Sequence, residues 1–334
     1  MKSYSDKNYY KKLSSDIDNQ FDAIEATIAH LFRYPHPALN ELPYGAAFCK
    51  QVLERRLLSD QDTIIEIGAG LGNFAYDFLV QLHREGYNKN YVIVDICEKL
   101  QERQKEALRE FPNVSFHLAD AESLPFEKIS ALVVCNEVIA DLDSVEMALE
   151  EAKFSKDENI KCLLEFVSET EKSVIFNTGA VKLIKDLSRI LMPGSNVVIS
   201  EHGVWEDARL AITGKIDNSE NSHIEFSINW KYLYNFSKTL GFDSEIIPLI
   251  DFLNFDKNCE VANFNDIRAL NIVYPDLPIL AIPATLIEKL LNMSISDIRK
   301  SAGLKLPKIG EPGFPDDHTL PFSESFQVLI LKKK

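Results

Sequence analysis

The residues most able to do chemistry sit in Glu66-Ile67-Gly68-Ala69-Gly70-Leu71-Gly72-Asn73. Three glycines at alternate positions follow a β-branched apolar run, Thr63–Ile67, and precede a helical pattern. Glycine tolerates positive φ and has no Cβ, so a ligand can approach bare backbone there. A helix beginning near Asn73 offers free N–H groups at the same place. Dinucleotide loops favour G-x-G-x-x-G, whose backbone meets a pyrophosphate. Here the spacing is G-x-G-x-G, and Glu66 stands two residues before the first glycine. A carboxylate there repels a pyrophosphate and suits the ammonium of an amino acid. The pattern therefore favours S-adenosylmethionine, which carries a sulfonium and no phosphate, over a nicotinamide dinucleotide.

Three further strand ends carry matching groups. The second predicted strand ends in Asp95, whose carboxylate can accept from both ribose hydroxyls, with Ile96 beside it. The third is followed by Asp120-Ala121-Glu122-Ser123-Leu124-Pro125-Phe126, where a carboxylate and a backbone N–H can read an adenine edge. The fourth ends in Asn136-Glu137, beside the expected position of a reactive methyl. Tyr44, ahead of the first core helix, is expected to cover the methionine end. The expected cofactor set is Tyr44, Glu66, Gly68, Gly70, Gly72, Asn73, Asp95, Ile96, Asp120, Ala121 and Asn136.

In-line methyl displacement needs alignment and exclusion of water more than a strong acid or base. A cationic acceptor would need carboxylates to orient it and a base to take a proton. Glu137, Glu201 and His202 follow neighbouring predicted strands and are the expected catalytic candidates. Each also has a structural alternative: the two glutamates could hold loop backbone, and the histidine could be a packing residue.

The elements that must position these groups alternate between two periods. Helical spacing covers 10–34, 45–57, 74–82, 98–111, 178–191 and 230–240, and strand patterns cover 63–67, 91–95, 114–118, 129–135, 197–200, 245–250 and 326–331. Strands alternating with helices imply right-handed crossovers and a mainly parallel sheet. The expected fold is α/β: a doubly wound, mainly parallel seven-stranded sheet with N-terminal helices and a C-terminal insertion. The expected division is a helical cap over 1–60, the core over 61–254, an insertion over 255–322 and a last core strand over 323–334. The insertion, with an amphipathic helix near 284–292 and a Pro/Gly-rich stretch at 306–321, is expected either to cover a substrate cleft or to decorate the periphery.

Bulk composition narrows the partners. The 334 residues carry 36 basic and 51 acidic side chains, a net charge of -15. Such a surface repels phosphate backbones, so nucleic acid is not an expected substrate. No apolar run approaches the roughly 20 residues of a membrane-spanning helix, and the first residues lack the apolar core of a secretory signal. Five scattered cysteines form no CxxC pair, so neither a zinc site nor a disulfide framework is indicated. No metal is expected, and a reduced cytoplasmic setting fits best.

The stretches EIGAGLGNFA, VIVDI, DAESLPF and LMPGSNVVISE together resemble class I S-adenosylmethionine-dependent methyltransferases over about residues 60–200. A narrower resemblance, to the MidA-like family that includes the mitochondrial complex I assembly methyltransferase, rests on EIGAGLGNFAYDFL, Lys99-Leu100-Gln101-Glu102-Arg103-Gln104 and Asn136-Glu137-Val138-Ile139-Ala140-Asp141. Two departures accompany it. Leu42-Pro43-Tyr44-Gly45 stands where that family has Gly-Asp-Phe-aromatic-Thr, and Leu142-Asp143-Ser144 replaces its Ala-Leu-Pro. The resemblance implies methyl transfer to a small metabolite or a protein side chain. The alternative is a non-catalytic adenosylmethionine-binding assembly factor or scaffold. The acceptor and the oligomeric state are not implied.

Overall fold

The computed structural model describes residues 2–5, 7–11, 27–169, 171–205, 212–216, 223–259 and 326–334, with single positions between 261 and 297. The N-terminal part contains β1 (Lys2–Tyr4), α1 (Lys7–Lys11), α2 (Ile28–Leu31), a 3-10 turn (Pro37–Leu39) and α3 (Tyr44–Glu54). The wound core then runs β2 (Thr63–Ile67), α4 (Asn73–Arg84), β3 (Tyr91–Asp95), α5 (Glu98–Ala107), β4 (Val114–Leu118) and β5 (Ala131–Asn136). Next come β6 (Ser144–Ala148), α6 (Leu149–Ala152), α7 (Glu158–Leu164), β7 (Ser173–Phe176), α8 (Thr178–Ile190) and β8 (Asn196–Val204). Then follow β9 (Ile212–Ile216), β10 (His223–Phe226), β11 (Ile228–Asn229), α9 (Trp230–Thr239), β12 (Phe242–Pro248), α10 (Leu249–Phe252) and β13 (Phe326–Lys333).

The main sheet has the order β12-β13-β8-β5-β2-β3-β4, with short β11 added on β8. β4, β3, β2, β5 and β8 are parallel, and β13 runs antiparallel between β8 and β12. The central strands are continuous Val/Ile-rich runs because both faces are covered. Alternate residues serve two cores. Ile64, Ile93, Leu132, Val134, Val198, Val328 and Ile330 pack with α3 and α4. Ile65, Val92, Val94, Val133, Val197, Ile199 and Leu329 pack with α8 and α9. The fold is thus doubly wound. After β4 the chain returns to the other side of β2, so the carboxyl ends of β2 and β5 flank a crevice, the place where such sheets take ligands.

The seven main strands fall where the apolar runs predict them. The side sheet β1-β6-β7 is not anticipated by the sequence reading. The expected helix over 98–111 stops at Ala107, because Leu108 leaves helical angles at φ -103, ψ 13. The expected helix over 45–57 likewise ends at Glu54, where Arg56 turns with φ 56. Within 10–34, α2 and the end of α1 are described, while 12–26 lie outside the described residues. The expected helix at 284–292 and the stretch 306–321 also lie outside them, apart from single positions in the former. Two described positions of the 255–322 excursion meet the N-terminal part: Asp256 N–H donates to Ala38 O at 2.9 Å, and Ala281 N–H to Leu31 O at 2.9 Å.

Candidate active site

The glycine loop leaves β2 and enters α4 with all three glycines at positive φ: +69° at Gly68, +52° at Gly70 and +87° at Gly72. Gly68 is constrained twice, since a Cβ there would lie 2.5 Å from Val138 Cγ2 in the loop after β5. The loops after β2 and β5 therefore close on each other across the crevice. Gly72 is the N-cap of α4 without any side-chain cap, so the first N–H groups after Asn73 are not taken by a capping side chain.

Strand periodicity puts Glu66, Asp95, Asn136, Ser200 and His202 in phase with the residues that face α3 and α4. Glu66 is 2% exposed, and its Oε2 accepts from Tyr91 Oη at 2.7 Å. Burial pushes its pKa up to about 8; the Tyr91 hydroxyl opposes this and the Asp95 charge adds to it. Asp95 is 5% exposed. Its Oδ1 accepts from Cys97 N–H at 2.9 Å and its Oδ2 from Gln104 Nε2 at 2.7 Å. Burial raises Asp95 to about 6 against those bonds and one from Ile96 N–H. Among the described residues, both carboxylates have only neutral donors.

Gln104 joins these groups although motif reading passes over it in the Glu102-Arg103-Gln104 stretch. It is fully buried, and its amide also donates to Gly70 O at 2.9 Å. One side chain thus ties the glycine loop to the Asp95 carboxylate. The third strand's loop is an Asx turn, with Glu122 N–H donating to Asp120 Oδ1 at 2.9 Å, and Ala121 is buried behind it.

At the end of β5, Asn136 Oδ1 accepts from Tyr44 Oη at 2.7 Å and from Ser200 Oγ at 2.6 Å. Its amide donates to Glu137 Oε1 at 3.1 Å. Burial holds the Tyr44 phenol well above its usual pKa, with the charges of Glu137 and Glu201 adding to this, so it stays protonated. Glu137 adopts φ +52°, and its carboxylate accepts from Ile28 N–H at 2.9 and 3.1 Å, capping α2. Glu201 is out of phase with the other strand-end groups. Its carboxylate accepts from Ala140 N–H at 3.3 Å and from His202 N–H at 2.9 Å. His202 Nε2 lies 2.8 Å from Ser227 Oγ, and its ring is 5.9 Å from that of Phe326. The structure thus gathers Tyr44, Asn136, Glu137 and Ser200 at one strand end. Ser200 is another addition to the predicted set, and only its register opposite Asn136 reveals it.

Residues 47–178 match the family model described as "Putative S-adenosyl-L-methionine-dependent methyltransferase". That segment spans the glycine loop, Asp95, Asp120 and the end of β5. This segment, less than half of the chain, is what resembles that family. A superfamily member from Burkholderia thailandensis, solved with S-adenosyl-homocysteine bound, is similar in structure at 16% identity and a TM-score of 0.55, covering 97% of this chain and 82% of that one. A native structure of a protein of the same superfamily from Burkholderia thailandensis matches at 15% identity and a TM-score of 0.54, over 95% of this chain and 86% of that one. The [4+2]-cyclase SpnF matches at 12% and 0.51, over 99% and 96%. No curated relative matches the chain. At these identities the likeness to solved structures establishes the fold. Among the described residues, no His/Cys/Asp/Glu group could hold a metal ion, and no helix is long and apolar enough to cross a membrane.

Proposed function

We propose that the chain is an S-adenosylmethionine-dependent methyltransferase that binds its cofactor between the glycine loop and the ends of β3, β4 and β5. The observation that carries this reading is the pair of buried carboxylates, Glu66 and Asp95, at the lip of a positive-φ glycine loop. Burying carboxylates without a cation is costly, and here burial raises both pKa values. An amino-acid ammonium near Glu66 would relieve the first, and ribose hydroxyls could donate to the second. A pyrophosphate would aggravate both. The family match and the likeness to a protein bound to S-adenosyl-homocysteine support the same ligand.

In this reading Gly68, Gly70, Gly72 and Asn73 present backbone to the cofactor, and Asp95 and Ile96 hold the ribose side. Asp120 and Ala121 meet the adenine edge, and Tyr44 and Asn136 border the methionine end. Bound adenosylmethionine supplies a methyl group on an electrophilic sulfonium. The chain's own residues would align the acceptor and exclude water. Glu137 would orient the acceptor only by sharing or leaving its bonds to Ile28 N–H, whereas Glu201 and His202 lie within β8, which runs on to Val204, and of the two only His202 is in phase with the other site groups. The acceptor is a small metabolite or a protein side chain. Similarity to a cyclase is a reminder that one fold hosts several reactions. The intact loop and its carboxylates argue against a degenerate cofactor site.

Calorimetric titration of the purified chain with adenosylmethionine, adenosylhomocysteine and NAD tests this directly. Micromolar binding of the two adenosyl compounds, abolished by Asp95→Ala, is expected. Binding of NAD alone would overturn the reading.

A further inference from the structure

The described N-terminal residues lie over the loops that follow β3, β4 and β5. β1 pairs antiparallel with β6, from Lys2↔Glu146 to Tyr4↔Ser144, and the Tyr4 ring packs on Phe226 at 4.5 Å. Lys7 Nζ then lies 2.9 Å from Asp120 Oδ2, 2.9 Å from Glu122 Oε2 and 3.8 Å from Asp143 Oδ2. Tyr9 is buried against Cys97 and Leu100, with Leu71 of the glycine loop at the cluster's edge. Tyr10 Oη donates to Asp141 Oδ2 at 2.9 Å. These contacts reach three successive strand-end loops, two of which carry residues assigned above to ribose and adenine.

We propose that this segment is part of the adenosine site, with Tyr9 closing its ribose side and Lys7 positioning the Asp120 carboxylate. The inference rests on the reading of Asp95 and Asp120 as adenosine ligands. Cys97 directly follows Asp95 and Ile96, and Leu100 lies one helical turn on, so a ring packed on them shields whatever Asp95 holds. Asp120 is fixed through both oxygens, by Glu122 N–H on Oδ1 and by Lys7 on Oδ2. Each carboxylate oxygen carries two lone pairs, so capacity remains for an adenine amino group. Lys182 also joins the cluster, 2.6 Å from Glu122 and 2.8 Å from Asp143. Two lysines therefore balance three carboxylates. Without Lys7, the like charges of Asp120, Glu122 and Asp143 would push the adenine-side loop apart. Burial works against the Lys7 ammonium, but its bonds to Asp120 and Glu122 outweigh that and keep it charged at neutral pH.

The test uses the full chain and its Lys7→Ala, Lys7→Arg and Tyr9→Ala variants. Two readouts are taken: alkylation of Cys97, followed by peptide mass spectrometry without ligand, and dissociation rates of adenosylhomocysteine and methylthioadenosine. Cys97 is 2% exposed beneath Tyr9. Its alkylation should be slow in the parent, on the order of tenfold faster in Lys7→Ala and Tyr9→Ala, and near the parental rate in Lys7→Arg. Both adenosyl compounds should dissociate faster by the same factor, because the lost contacts lie at the end they share. Unchanged Cys97 protection and unchanged dissociation in both alanine variants would overturn the proposal. If Cys97 protection depends on Lys7 and Tyr9 while the parent binds no adenosyl compound, the cofactor reading fails instead, and the adenosine role of the segment with it.

Discussion

Glu66→Gln should make the protein more stable at neutral pH and a poorer binder of adenosylmethionine. Glu66 is fully enclosed, and burial moves its pKa from 4.5 to about 8. The unfolded chain releases this proton near 4.5, whereas the folded chain keeps it until about 8. Stability contributed by Glu66 is therefore complete below pH 4.5 and is lost as pH rises toward 8. By pH 7 the loss covers about 2.5 units at about 1.36 kcal/mol each, roughly 3 kcal/mol. Glutamine cannot ionise, and its amide oxygen can still accept the Tyr91 hydroxyl, so the variant escapes this loss. Urea unfolding of parent and variant, without ligand, at pH 4.5 and pH 7 reads the effect. The stability difference should move in the variant's favour by a few kcal/mol between the two. At pH 7 the variant should bind adenosylmethionine more weakly than the parent. It should bind methylthioadenosine, which lacks the amino-acid portion, equally well. A stability difference that does not change with pH, or equal affinity for adenosylmethionine, would refute the reasoning.

Other substitutions probe the rest of the site. Gly68→Ala combines positive φ with a Cβ 2.5 Å from Val138 Cγ2, and should cost roughly 2–4 kcal/mol in chemical unfolding; adding Val138→Ala should recover the clash but not the backbone strain. Gln104→Leu leaves Gly70 O and Asp95 Oδ2 without their donor, so adenosylhomocysteine affinity should fall roughly tenfold by calorimetry, and unchanged affinity would cut the proposed link between loop and ribose carboxylate. Glu137→Ala removes the cap on Ile28 N–H and should lower stability by about 1 kcal/mol while adenosyl binding persists. Loss of labelled-methyl transfer in that variant, beyond what its melting temperature explains, would mark Glu137 as catalytic rather than structural.

How much was legible follows from the range of the interactions. β2, β3, β5 and β8 are short Val/Ile runs buried on both faces, so local composition announces them. The three residues of β1 owe their strand conformation to pairing with β6, and nothing in Lys2-Ser3-Tyr4 marks them. The glycine loop and Asp95 form a compact pattern that is visible in the sequence. Gln104 is tied to Gly70 across 34 residues, Ser200 meets Asn136 only through strand register, and Lys7 reaches Asp120 from a segment that precedes the wound core in sequence. The Glu137 carboxylate, aimed at a helix start 109 residues earlier, is equally invisible to spacing. Each depends on tertiary placement, which periodicity does not encode.

The most direct measurement is a crystal structure of the full chain with S-adenosylhomocysteine. The ribose hydroxyls are expected within hydrogen-bonding distance of Asp95, the amino group on the Glu66 side of the glycine loop and the adenine between Asp120 and Tyr9. A ligand bound elsewhere, or one whose ribose does not meet Asp95, would show that the glycine loop and Asp95 do not form the cofactor site.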